Sequence, residues 1–202
     1  MIKYLAQAIA SYTVKHDNSA DFEVLVYGYE LLLQRFFVVG IALVAALPLG
    51  LFFHVLTAEI VYSMMRGCTG GLHAKYRWLC MAVSVLIQFG PAFLTAKAGV
   101  YIEPWGIVAC FAANVALLLL YAPADTEAMP IYNPVRRKKL KIQGLIYLAA
   151  FFFIAAAIYS FLPELSFILV VTPTIACCFT HPAAYWLFGC KKSIIKTEVH
   201  AQ

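Results

Sequence analysis

The chain has 202 residues, of which 63% are hydrophobic and 12% charged, and its formal net charge is +5. A soluble domain is about half apolar and about one quarter charged, so this excess of apolar residues cannot all be buried in a core and must face lipid. Disordered tails, collagens, coiled coils and autonomous nucleic-acid-binding domains are excluded, because the few charges only separate long apolar runs.

The N-terminal region, residues 1–30, alternates apolar and polar positions at helical spacing with moderate hydrophobicity. This pattern is typical of an amphipathic helix that lies in the membrane interface. The stretch Asp17-Asn18-Ser19 interrupts it, and a mixed pattern resumes from Asp21 to Glu30. We therefore expect an interfacial region and no membrane crossing before about residue 30.

The first long apolar run, Phe36 to Met65, exceeds one upright span at a rise of about 1.5 Å per residue. Pro48 and Gly50 lie near its middle, where they form either a hairpin between two short spans or a kink in one tilted helix. Four later runs are each near the length that crosses a bilayer: Trp78–Ala96, Trp105–Tyr121, Gln143–Phe161 and Leu165–Phe188.

Lysine and arginine are concentrated in residues 66–77, in residues 122–142 and in the C-terminal tail. Such segments stay on the cytoplasmic side of a membrane, which favours the hairpin and places both termini in the cytoplasm. We predict one all-α integral membrane domain over residues 1–202, with about six transmembrane helices preceded by an interfacial amphipathic helix.

The densest polar cluster at a membrane boundary is the segment from Arg66 to Cys80, whose paired glycines permit a bend. Within it, the imidazole of His73 is suited to take the thiol proton of Cys80, and the resulting thiolate to attack a carbonyl. Two residues that are seven positions apart on one unbroken helix are separated by about 10.5 Å along its axis, which is too far for a hydrogen bond. The chain must therefore fold back between His73 and Cys80. If a helix begins near Lys75, Cys80 lies in its second turn, where the helix dipole favours a thiolate.

The residues Arg66, Gly71, His73 and Cys80 follow the pattern R-x4-G-x-H-x6-C, with Ala74 directly after the histidine. In this pattern the chain resembles the accessory gene regulator B (AgrB) family. Two further segments resemble that family's second cytoplasmic loop and its entry to the first span: Tyr121–Thr126 with Pro130 and the basic run Arg136–Lys141, and Tyr27–Glu30.

The resemblance implies a cysteine endopeptidase of the bacterial cell membrane that acts in quorum sensing. Cys80 would be the nucleophile, His73 the general base, and Arg66 and Gly71 supporting residues. The substrate would be an AgrD-like precursor peptide with an amphipathic helix and an acidic C-terminal tail. A thioester on Cys80 would let a side chain of that peptide close a thiolactone or lactone ring. A homodimer is implied, and no cofactor or nucleic-acid partner is expected.

Several assignments stay open at this point. Glu30, Glu59 and Asp125 are candidates to orient His73, and Cys68 competes as nucleophile by its proximity to that histidine.

Two interpretations of the basic run remain open, and they concern Arg136, Arg137, Lys138 and Lys139. In the first, these residues only orient the chain in the membrane and contact anionic lipid. In the second, they also bind the acidic tail of the precursor. In the latter case they form a substrate-binding site in a basic cytoplasmic loop over residues 122–142.

Two other functions compete with peptide processing. A small proton-coupled transporter would use His54 and Glu59 inside the first apolar run, and a non-catalytic scaffold would use neither. A metal site is not expected, because the C-C-x2-H-x8-C spacing near the C-terminus fits no common signature.

Overall fold

The computed structural model describes residues 2–16, 22–70, 77–125 and 131–189. All regular secondary structure in the described residues is helical, apart from one isolated parallel β-bridge between Gly70 and Ala124. The helices are α1 (Ile2–His16), α2 (Phe22–Ala46), α3 (Phe52–Thr69), α4 (Arg77–Ala96), α5 (Pro104–Tyr121), α6 (Pro134–Ile158), α7 (Pro163–Cys178) and α8 (Pro182–Leu187).

Proline marks the first residue of four helices, α5, α6, α7 and α8. Proline fits there because its missing N–H would have no intrahelical partner and its φ angle is already helical. At α6 the side chain of Asn133 also accepts hydrogen bonds from the amides of Val135 (2.9 Å) and Arg136 (3.3 Å), which is a typical N-cap.

The chain divides into two compact units, residues 1–45 and 46–202. In the first unit, the hydroxyl groups of Thr13 in α1 and Tyr29 in α2 share a hydrogen bond of 2.9 Å. Residues 22–46 form one continuous helix, so the mixed segment up to Glu30 belongs to the same helix as the apolar run. No helix boundary lies at residue 30, and the position at which this helix enters the membrane stays a prediction.

The long apolar run is interrupted at its centre. Helix α2 ends at Ala46, Gly50 has a φ of +68°, and the amide of Leu51 donates to the carbonyl oxygen of Ala46 at 3.0 Å. Helix α3 starts at Phe52. Proline commonly follows a helix end because it cannot continue the helix, and Pro48 does so here. The run thus forms two helices, and the single kinked helix is wrong.

In the second unit, α7 contacts α3, α4, α5 and α6, and α3 contacts both α4 and α6. Apolar side chains fill the space between these helices, among them Met65, Leu118, Leu148, Phe152 and Val170. Large apolar side chains also cover the outside, and Phe153, Phe161 and Trp186 are each more than three quarters exposed. Such a surface is suited to lipid.

Within the described residues, three helices, α2, α5 and α6, are long and apolar enough to cross a membrane, and Met81–Ala96 and Pro163–Cys178 are shorter apolar helices. The expected last span, Leu165–Phe188, is not continuous, because α7 ends at Cys178 and His181 caps α8. Helix α6 begins at Pro134, nine residues before the expected Gln143. The basic run from Arg136 is therefore helical.

Candidate functional site

The end of α3 is built around Gly70. Its amide donates to the carbonyl oxygen of Arg66 (3.1 Å), and its backbone has φ +67° and ψ −139°. Residues with a side chain rarely adopt this conformation. A Cβ atom on Gly70 would also overlap the carbonyl oxygen of Ala124. Glycine is thus required here both by the backbone angles and by the neighbouring chain.

The segment that follows α5 lies against this helix end. The amide of Ala124 donates to the carbonyl oxygen of Thr69 (2.8 Å), and the side chain of Thr69 is fully buried. Together with the Gly70 bridge, this bond holds residues 122–125 on the last turn of α3. The end of α3, which carries Arg66, is therefore held by contacts from outside its own helix.

Asp125 anchors the same segment to α6 and α8. Its buried carboxylate forms an ion pair with the guanidinium group of Arg137 and accepts the amide of Ile131 at 3.4 Å. Arg137 also donates from Nε to the carbonyl oxygen of Ile131 (3.0 Å), and the hydroxyl of Tyr185 donates to the backbone oxygen of Asp125 (3.2 Å). No single apolar run of the sequence predicts these contacts, because they join three separate segments.

One end of the second unit thus gathers the end of α3, the end of α5, the start of α6 and α8. The rings of Tyr121 and His181 add a contact at 5.0 Å between their centroids. Residues 66–70, 122–125 and 131–139 belong to two of the charged segments expected on one side of the membrane. The structure brings these two segments together at one end.

Cys80 is the fourth residue of α4, which begins at Arg77. The expected start near Lys75 would have placed it in the second turn, so the structure moves the cysteine to the end of the first turn, closer to the positive pole of the helix. Six residues, 71–76, join Gly70 to Arg77 and lie outside the described residues. Both Gly71 and His73 are among them.

The comparison with known families covers almost the entire chain. The family model described as accessory gene regulator B matches residues 2–181. The chain belongs to the AgrB family. The resemblance drawn from the Arg66 to Cys80 pattern is thereby confirmed, and membership links the chain to the agr quorum-sensing system.

The curated relatives have the same kind of name. An AgrB-like protein of Listeria innocua is 28% identical over 146 residues, which are 70% of this chain and 71% of the relative. AgrB-like protein 2 of Clostridium perfringens is 25% identical over 161 residues, 75% and 72% of the two chains. No solved structure is significantly similar to this chain.

In this AgrB family member, Cys68 has the surroundings of a packing residue. Cys68 lies beyond the apolar part of α3, and its side chain is 6% exposed. It packs closely against α6, because a Cβ atom added to Gly144 would be 3.5 Å from the Cβ atom of Cys68. Burial raises the pKa of the Cys68 thiol, which lowers the fraction of reactive thiolate at neutral pH. Both features weaken its claim to be the nucleophile.

The four basic candidates for substrate binding do not have equivalent surroundings. Arg136, Lys138 and Lys139 are exposed, whereas Arg137 binds the buried carboxylate of Asp125. All four lie near the N-terminus of α6, where the helix dipole disfavours positive charge. Their charge is thus not explained by helix stability, and Arg137 has a structural partner that the other three lack among the described residues.

The other acidic candidates are also engaged. Glu59 accepts hydrogen bonds from Ser63 (2.8 Å) and from Nε2 of Gln88 (2.5 Å). His54 forms a contact of 2.6 Å with Glu164 at the start of α7. The transporter hypothesis assigned proton transfer to His54 and Glu59, and these two residues have different partners in different helices. Glu30 lies in α2, in the first unit.

Proposed function

We propose that the chain is a membrane cysteine endopeptidase that cleaves an AgrD-like precursor near its C-terminus and promotes ring closure of the product. Support comes from family membership, from the Arg66 to Cys80 pattern and from the local architecture. The observation that carries the proposal is the placement of the motif. A helix end clamped at Gly70 and a helix start bearing Cys80 are joined by a link of six residues that includes His73.

In the first step, the imidazole of His73 takes the thiol proton of Cys80, and the thiolate attacks the scissile carbonyl carbon. The peptide C–N bond then breaks, and the leaving amine of the C-terminal fragment receives the proton from His73. The N-terminal part of the precursor is left as a thioester on Cys80. A start of α4 at Arg77 favours the thiolate through the helix dipole.

In the second step, a thiol or hydroxyl of the bound peptide attacks the thioester carbonyl and forms the ring, the bond to Cys80 breaks, and His73 takes the proton of the attacking group and returns it to the leaving Cys80 thiolate. Water competes for the same carbonyl, but an intramolecular nucleophile has a high effective concentration. A site at a membrane boundary also limits access of water. Cyclisation is therefore expected to dominate over hydrolysis.

Arg136, Lys138 and Lys139 are proposed to bind the acidic C-terminal tail of the precursor while the bilayer binds its amphipathic helix. They are exposed at the same end of the unit as Gly70, and opposite charges guide and hold such partners. Arg137 is proposed to act on this site through Asp125. The protein would span the cell membrane about six times with cytoplasmic termini, as a homodimer.

The test uses the full chain in liposomes with its candidate precursor peptide, and intact masses of both are followed over time. The wild type and Cys68→Ala should gain the mass of the truncated peptide in a form that hydroxylamine removes. Cys80→Ala should show neither the adduct nor the cleaved peptide. Peptide cleavage that persists in Cys80→Ala would overturn the proposed mechanism.

A further inference from the structure

Two polar side chains meet inside the apolar contact between α3 and α4. Gln88 is fully buried and Glu59 is 8% exposed, and the amide of Gln88 donates to Oε2 of Glu59 at 2.5 Å. The hydroxyl of Ser63, one turn along α3, donates to the other carboxylate oxygen at 2.8 Å. The hydrogen bond from Gln88 to Glu59 therefore joins α4 to α3, the two helices that carry the candidate site.

The pair lies at a matched depth below the two ends that form the site. Glu59 precedes Arg66 by seven residues, and Gln88 follows Cys80 by eight. At about 1.5 Å per residue, Glu59 and Gln88 are thus roughly 10 to 12 Å along their helix axes from Arg66 and Cys80 respectively. A shift of one helix against the other would break this bond and displace Cys80 relative to Arg66 by the same amount.

Stability alone does not account for these residues. A carboxyl group is costly in an apolar helix, and Oε1 of Gln88 has no hydrogen-bond partner among the described residues. Apolar side chains of similar volume fill such a contact at least as well. What apolar packing does not supply is a fixed register, because Leu, Val and Ala side chains tolerate sliding far better than a hydrogen-bonded pair does.

We propose that Glu59 and Gln88 are a positioning pair that fixes the register of α4 against α3 and so places Cys80 beside the Arg66–Gly70 helix end. The inference rests on the proposed function and assigns a further role within the same site. Neither residue touches the precursor. The pair acts through the position of the α4 start. Loss of the hydrogen bond slows acylation of Cys80 and leaves substrate binding intact.

The main variant is Gln88→Met, which keeps the side-chain length and removes the hydrogen bond. Because a displacement of about 1 Å can cost about a hundredfold in rate, acylation of Cys80 at saturating precursor should fall about 10- to 100-fold. The apparent KM should stay within about twofold, since the binding surfaces are unchanged. The double variant Glu59→Gln/Gln88→Glu recreates an amide-to-carboxylate bond with its direction reversed and should restore most of the rate.

The matched control is Asn114→Leu. Asn114 is also fully buried, donates one interhelical hydrogen bond, to Thr174 at 2.7 Å, and has an amide oxygen with no partner among the described residues. Its bond joins α5 to α7, and neither helix carries Cys80 or the motif. Asn114→Leu should therefore keep the acylation rate within about twofold, with thermal unfolding of all variants measured in the same liposomes.

A second readout needs no precursor. The pH dependence of Cys80 alkylation, measured by peptide mass spectrometry, should change in Gln88→Met and return in the double variant, because a displaced α4 start moves Cys80 from the position that the proposed general base requires. A wild type that forms no thioester refutes the proposed function. If the wild type forms the thioester, two results overturn the positioning role alone. In one, Gln88→Met acylates at the wild-type rate; in the other, Asn114→Leu acylates as slowly as Gln88→Met.

Discussion

The clamp at the end of α3 makes a quantitative prediction for Gly70→Ala. The change places a Cβ atom on a residue with φ +67° and ψ −139°, where it overlaps the carbonyl oxygen of Ala124. Backbone strain of this kind costs about 1 to 3 kcal/mol. Separation of the two segments to relieve the overlap loses the bond from Ala124 to Thr69, worth about 1 kcal/mol. The local cost is thus about 2 to 4 kcal/mol.

Hydrogen exchange measures this cost directly at the amide of Ala124. At about 1.4 kcal/mol per tenfold change, its protection should fall roughly 30- to 1000-fold in Gly70→Ala. Thioester formation on Cys80 should decline as well, because the helix end that carries Arg66 loses its external support. The amide lies outside any long helix, so its protection reports the clamp and not helix fraying.

Gly67→Ala is the matched control, three residues earlier and inside α3. A Cβ atom there meets nothing within 4 Å, and alanine in place of a helical glycine stabilises by roughly 1 kcal/mol. Gly67→Ala should retain protection and activity. If Gly70→Ala also kept the protection of Ala124 at its wild-type level, the clamp would have no role in holding residues 122–125, and the reasoning would be refuted.

Two further predictions concern the basic run and the second cysteine. Arg137→Ala leaves the carboxylate of Asp125 buried without its cation and should destabilise the protein by about 3 to 5 kcal/mol. The double variant Lys138→Ala/Lys139→Ala should change the stability by less than about 1 kcal/mol and raise the KM for the precursor. Equal losses of stability in thermal unfolding would contradict this difference. Alkylation of Cys68 in the folded chain should be slow at pH 7 to 8 and accelerate only at higher pH, because burial raises its pKa above the ordinary value; rapid labelling at neutral pH would show that the thiol is accessible and ionised.

The sequence predicted the helices better than their ends. Expected starts at Trp78 and Trp105 fall within one residue of α4 and α5, because the apolar runs there are sharply bounded. The start of α6 was missed because a basic run resembles a loop. Even so, Asn133-Pro134 carried the N-cap and first-turn signal. Likewise, His181-Pro182 marked the break between α7 and α8.

The candidate site also has one part that the sequence predicts and one part that only the fold shows. The Arg66 to Cys80 pattern is contiguous in sequence, so it is visible without a fold. The contacts that hold it, from Gly70 to Ala124 and from Asp125 to Arg137, join segments more than ten residues apart. Nothing in the sequence distinguishes Arg137 from its basic neighbours. That difference arises only when the fold places one guanidinium group against a buried carboxylate.

The directions of three helices connect this site to the charge pattern. Helices α3 and α7 meet at their starts through His54 and Glu164, and α5 and α7 meet at their ends through the rings of Tyr121 and His181. Helices α3, α5 and α7 therefore all run toward the end that holds Gly70 and Ala124. The basic residues follow α3 and α5 and return in the tail after α7. By the preference of lysine and arginine for the cytoplasmic side, this arrangement would orient the candidate site toward the compartment in which a precursor peptide is made.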